Sequence, residues 1–195
     1  MTSKESILSN SIKLLATQGY EGASIRDVAN AAGVQSSVIY HYFQDKEGLF
    51  RAVRIHITML LAQDMQRITA NSTGELLREH VRYQFHNREL LVALLQYFIA
   101  TKNDYPESSD GYVPKQAYQH TRQLIDQGIA EGRYHSSDAD FDAKIIAHMI
   151  NGFAVEYYPH KVSPTESNKI IEGLAVFIER GLGYKTTKTE GVAKI

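Results

Sequence analysis

The chain has 195 residues, 43% of them hydrophobic, and a formal net charge of −1. It has no cysteine, which excludes a disulfide framework and a thiolate metal site, and no apolar run approaches the ~18 to 20 residues that cross a bilayer. Proteins that hold nucleic acid by bulk charge are strongly basic, so any DNA contact here must come from a few placed groups.

The first residues, MTSKESILSNSIK, are polar and amphipathic and do not form a signal peptide. A soluble, cytoplasmic protein is therefore expected. A first helix over 4–18 places Leu8, Ile12 and Leu15 on one stripe, and Gly19 is expected to end it. Ser24, with Asp27 three residues on, is a capping box for a second, short helix. Its buried face is Ile25, Val28, Ala29 and Ala32, and Gly33 closes it. A third helix spans about Ser36 to Tyr42, and a fourth runs from Asp45, which can cap it, to about Thr69.

Longer helices follow at about 73–87, 88–102, 114–131, 138–158 and 164–182. Pro114 and Pro164 stand where a first turn tolerates proline. Residues 103–113 read as a polar loop, and 184–195, without apolar periodicity, as a flexible tail. No segment alternates as a strand does. The expected fold is all-α: a three-helix head over 1–45, then an antiparallel helical bundle over 46–183.

The segment 24–43, SIRDVANAAGVQSSVIYHYF, has the parts of a helix-turn-helix. A capped two-turn helix meets a glycine turn, Val34 fills the corner, and a second short helix follows. Such a helix can enter the major groove with its N-terminal side chains at base edges, here Gln35, Ser36 and Ser37. No Asp, Glu, Lys or Arg stands between Val28 and Gln44, so this surface can approach phosphates without carboxylate repulsion. Ile39 and Phe43, one turn apart, should be buried. Tyr40 and His41 fall on other faces, where they can donate to phosphates, and Tyr42 is a further DNA-facing candidate. Lys46 combines its own charge with the positive end of the next helix. A helical hairpin of pure packing gives similar periodicity, with Tyr40, Tyr42 and Phe43 as an aromatic core cluster.

Gly19-Tyr20, Ser24-Ile25-Arg26-Asp27-Val28-Ala29, Ala32-Gly33-Val34, Ile39-Tyr40-His41-Tyr42-Phe43 and Lys46-Glu47-Gly48-Leu49 closely resemble the N-terminal signature of TetR-family repressors. More loosely, Gly128-Ile129, Gly132-Arg133-Tyr134, Asp138 and Gly152 look like that family's junction before its dimerising helices. The resemblance implies phosphate contacts by Ser24, Tyr40 and Lys46, a groove contact by Arg26, and a base-reading edge of Gln35, Ser36, Ser37 and Val38. The family often has serine or threonine where Gln35 stands, and a basic residue where Ser36 stands.

The resemblance also implies a two-fold dimer through the last two long helices. Its candidates are Phe141, Ile145, Met149 and Phe153 on the first, with Ile171, Leu174, Phe177 and Ile178 on the second. Two heads would then read two half-sites of a palindromic operator. The stretch between Tyr83 and Tyr158 is rich in amphipathic rings, and Tyr83, His86, Tyr97, Phe98, Tyr118, His120, His148, Phe153 and Tyr157 are candidates for a small-molecule pocket. Without an acidic cluster, the expected effector is neutral or weakly anionic and aromatic. No cofactor or metal is expected: His80 and His86 are six apart and share no helical face as zinc ligands would. There is no P-loop, dinucleotide glycine pattern or nucleophile elbow, so an enzyme is the weaker reading. A helical adaptor, or a small-molecule-binding protein without DNA binding, is the other alternative.

Overall fold

The computed structural model describes residues 2–65, 67–101, 115–158 and 160–183. Among them the elements are all helices: α1 (Ser3–Gly22), α2 (Ile25–Ala32), α3 (Ser36–Phe43), α4 (Lys46–Met65), α5 (Thr73–His86), α6 (Arg88–Thr101), α7 (Lys115–Ala130), α8 (Ala139–Glu156) and α9 (Pro164–Gly181). The polar loop 103–113, the proline at 114 and the tail 184–195 lie outside the described residues.

Local chemistry sets most boundaries. Thr2 caps α1 in a reciprocal box with Glu5, and Ser24 caps α2 in another with Asp27. Ser72, Asp138 and Ser163 cap α5, α8 and α9 through single side-chain bonds. Gly33 ends α2 at φ 68, ψ 34, a left-handed conformation that glycine adopts without Cβ strain.

Two boundaries differ from expectation. Gly19 does not end α1 but breaks it at φ 70, and the chain makes one more turn to Gly22; that turn lies against α6, with the Gln96 side chain close to Gly19. The fourth helix stops at Met65, short of Thr69, and the next helix is already being prepared by Asn71, whose N–H donates to Glu75.

Two cores hold the molecule. One joins Ile7, Ile12 and Leu15 of α1, Val28 of α2, Ile39 and Phe43 of α3 and Leu49, Phe50, Val53 and Ile57 of α4 to Val92, Ala93 and Tyr97 of α6. The expected head thus shares its core with α6, and residue 45 lies in an exposed turn between α3 and α4, both of which contribute to that core. The second core lies in the body, where Leu77, Val81 and Phe85 of α5 meet Leu124 and Ile125 of α7, Ile146 and Ile150 of α8 and Ile171, Leu174 and Ile178 of α9. Polar ties cross it: Arg78 donates to both carboxylate oxygens of Glu179, at 3.1 and 3.0 Å, and to Glu172 at 3.1 Å.

Candidate nucleic-acid interface and helical body

The head presents α3 with one side anchored and the other bare. Ile39 is fully buried and Phe43 nearly so, while Gln35, Ser37, Tyr40, His41 and Tyr42 are exposed and Ser36 and Val38 half-buried. Tyr40 keeps 51% of its surface, which removes the aromatic-core alternative for it, and Tyr42 at 45% follows. Only Phe43 of the three belongs to the core. At 100° per residue, Ser37 and His41 point directly away from Ile39, with Val38 and Tyr40 on the flanks. Arg26 of α2 is exposed and forms no ion pair among the described residues.

Two expected phosphate ligands are otherwise engaged. The Ser24 hydroxyl accepts from the Asp27 N–H at 3.1 Å and donates to the Asp27 carboxylate, so its one proton is committed to the cap of α2. The Lys46 ammonium donates to the Glu21 carbonyl at 3.2 Å and lies 4.9 Å from the centre of the Tyr20 ring. That leaves it further N–H groups for a phosphate. Gln35 precedes α3 without a side-chain cap bond, so its amide is free to face outward.

A tight turn fixes α3 against α4. Gln44 has φ 70 and ψ −51, and the Asp45 N–H closes on the Phe43 carbonyl at 2.9 Å, a γ-turn of the rare positive-φ kind. Asp45 then caps α4 through the Gly48 N–H at 2.7 Å. A β-carbon on residue 48 would overlap the Phe43 carbonyl oxygen, so glycine there is what lets the two helices close up.

The nine expected pocket residues do not share one wall. Tyr97 is buried in the head's core, with Phe98 packed against it. His86 and His148 are exposed, their Nδ1 atoms 2.8 and 2.7 Å from the Arg82 and Lys144 carbonyls of their own helices. Tyr157 stacks on Phe153 and meets Phe85 edge-on. The Tyr83 hydroxyl donates to Asp64 at the end of α4, at 3.4 Å, and burial beside that carboxylate pushes the phenol up to about 12. Tyr118 is buried in the body and His120 half-buried.

One polar group in this body is not among the expected pocket residues, its spacing having excluded it only as a zinc ligand. His80 is buried, with Nε2 3.2 Å from the Thr121 hydroxyl of α7. Burial, aided by the charge of His120, pushes it down to about 4, so it is a neutral imidazole at neutral pH. One turn along α5, the Oε1 atom of Gln84 is buried without a hydrogen-bond partner among the described residues. The available signal was His80 standing between Leu77 and Val81 on the apolar stripe of α5.

The expected dimer residues divide cleanly. Phe141 and Phe177 keep 59% and 64% of their surface, and Ile145 and Phe153 are exposed with them. Ile171, Leu174 and Ile178 instead lie in the core of the single chain, a correction that follows from α9 turning that stripe toward α5. Met149 is half-buried at the edge. Among the described residues no three His, Asp or Glu side chains converge as metal ligands, and no helix is long and apolar enough to cross a membrane.

A short helix anchored by Ile39 and Phe43, bare on its far side and joined to a capped two-turn helix through Gly33, defines the helix-turn-helix class. Residues 7–53 match the family model described as bacterial regulatory proteins, tetR family, and over this head the chain is similar to the transcriptional regulators of that family. It is 31% identical over 100 residues to the transcriptional repressor ComR of Escherichia coli, a match covering 51% of this chain and 41% of that protein. It is 41% identical over 51 residues to the repressor AcnR of Corynebacterium glutamicum, covering 26% of this chain and 27% of AcnR. The matched region thus spans less than half the length of these relatives.

Beyond the head the likeness is one of fold. The TetR family regulator PfmR of Thermus thermophilus superposes with a TM-score of 0.70 at 22% identity, covering 90% of this chain and 98% of PfmR. The fatty acid degradation regulator FadR of Bacillus halodurans gives 0.65 at 19% identity, covering 95% and 98%.

Proposed function

We propose that this protein is a ligand-responsive transcriptional repressor that binds a palindromic operator as a homodimer. The observation that carries the reading is the outer surface of the head: an uncharged, polar α3 with Ser37, His41 and Tyr40 outward, together with the exposed Arg26 of the preceding helix α2. Arg26 reads a base edge, where a guanidinium can pair with O6 and N7 of guanine. Tyr40 and Lys46 hold phosphates, and Ser24 serves chiefly to cap α2. Residues 1–45 supply recognition, and residues 46–183 supply dimerisation and sensing.

The dimer forms through Phe141, Ile145 and Phe153 of α8 and Phe177 of α9. Supporting this, β-carbons added at Gly152, Gly173 and Gly181 would meet nothing within 4 Å, so these helices carry bare stretches beside exposed rings. Such knobs beside gaps suit a self-complementary contact.

The effector is a neutral small molecule that binds in the body. His80, neutral and paired with Thr121, and the unpartnered Gln84 oxygen offer hydrogen bonds without charge. An occupied body then weakens operator binding by linkage, because ligand and operator favour different placements of the heads.

The test is a gel shift on an operator selected from random duplex. Arg26→Ala and Tyr40→Phe should each weaken binding with the thermal melt unchanged, by about 1–3 kcal/mol for Arg26 if it reads a guanine. Unchanged affinity in both variants contradicts the assignment.

A further inference from the structure

Lys46 does not begin α4 as an unanchored cation. Its ammonium occupies a seat built from the last turn of α1, with the Glu21 carbonyl on one side and the Tyr20 ring on the other. Carbonyls at a helix end have no helical partners and carry partial negative charge, and an aromatic face attracts a cation independently of them. The break at Gly19, φ 70, is what turns this last stretch of α1 toward α4 and α6.

The seat is backed by the body. The Tyr20 ring lies 5.3 Å from Phe50 of α4 and 6.2 Å, edge-on, from Tyr97 of α6. Tyr97 is only 2% exposed, and a β-carbon on Gly19 would lie 3.3 Å from the Gln96 side-chain oxygen. A close-packed contact of this kind transmits displacement, because it has no void to absorb it. Any movement of α6 relative to α1 therefore moves the ring under Lys46.

We infer that Tyr20 is a positioning residue for the Lys46 phosphate contact, and that α6 reaches the DNA-facing surface through Tyr97 and Tyr20, by a route separate from the length of α4. The inference rests on the DNA-binding reading above. The seat orders the long lysine side chain before DNA arrives, so less rotamer freedom is lost on binding. Two of the ammonium's three N–H groups are left to face a phosphate.

The experiment measures binding of the full chain to a short duplex of random sequence across a range of salt concentrations. Lys46→Ala should lower the slope of log affinity against log salt by about 0.9, the value for one phosphate. Tyr20→Leu should lower it by nearly the same amount, Tyr20→Phe should keep the wild-type slope, and the double variant of Lys46→Ala with Tyr20→Leu should lose no more than either single one. A folded Tyr20→Leu protein with the wild-type slope, or losses that add in the double variant, overturns the inference. A wild-type protein that binds no duplex contradicts the DNA-binding reading as well.

A second measurement does not depend on the variants' stability. In the wild-type protein the Lys46 ε-methylene protons should be shifted upfield by the Tyr20 ring, and Tyr97→Leu, which does not touch Lys46, should change that shift. Unshifted protons, or a shift insensitive to Tyr97→Leu, overturn the proposal.

Discussion

The ring of Tyr134 closes over the bare α-carbon of Gly128, and a β-carbon at residue 128 would overlap three of the ring's atoms. Tyr134 is 1% exposed, and both its N–H and that of Arg133 donate to the Gly128 carbonyl, at 3.0 and 2.8 Å. The end of α7 and the approach to α8 are thus folded onto one glycine. Gly128→Ala should destabilise the protein by about 3 kcal/mol, the upper range for overpacking, because a buried aromatic ring cannot swing clear. A denaturant midpoint within error of wild type contradicts this.

His80 makes stability depend on pH in a defined direction. In the folded protein it takes up a proton only near pH 4, against 6.5 for the unperturbed group. Between those values the unfolded chain binds more protons, so stability from this group is fully present above pH 6.5 and is lost as the pH falls toward 4. The size is about 3 kcal/mol at one pH unit per 1.36 kcal/mol. His80→Leu should flatten the melting curve's dependence on pH across that window while lowering stability at pH 7, since Thr121 loses its partner. An equally steep acid loss in the variant would place its source elsewhere.

Arg78 is the clamp between α5 and α9. Glu179 is 5% exposed, and Arg78 meets both its oxygens while also reaching Glu172 and the Gly74 carbonyl. Those carboxylates hold the guanidinium charge more firmly than usual. Arg78→Ala leaves a buried carboxylate unpaired, a change that costs about 3–5 kcal/mol when both partners are buried. Arg78 itself is 30% exposed, so water can screen the vacancy and about 2 kcal/mol is expected. Urea melts of Arg78→Ala and of Arg78→Ala with Glu179→Gln check it: the second substitution should recover part of the loss.

The exposed rings of α8 and α9 predict the assembly state. Phe177→Glu, or Phe141→Glu, places a charge where a symmetric contact would desolvate it twice. Each variant should sediment as a monomer at micromolar concentration with its helical content kept. Wild-type protein that is already monomeric there contradicts the dimer.

What was readable in the sequence follows the range of the forces. The box at Ser24 and Asp27, the turn at Gly33 and the cap at Asp45 act within four residues, so composition revealed them and the structure has each. The exposed edge of α3 followed from the period of Ile39 and Phe43. The sorting of α9 did not: its apolar residues surround more than one face, and only the packing against α5 separates buried Ile171 and Ile178 from exposed Phe177. Nor could the pairing of Tyr20 with Tyr97, or of His80 with Thr121, be read, since each joins helices far apart in the chain. The pocket candidates suffered most. Tyrosine and histidine serve equally as core, surface and ligand groups, and spacing does not separate those uses.

The head and the first turns of α4 together have five basic and five acidic residues between positions 2 and 53. Its recognition therefore depends on placed groups, and the most direct test of the central claim uses the sequences it selects. The full chain should enrich, from a random duplex library, an inverted repeat whose two half-sites lie about 10 base pairs apart or a multiple of that, and Arg26→Ala should relax the preference at one position in each half. Failure to retain any duplex at low salt, or enrichment without two-fold symmetry, contradicts the account.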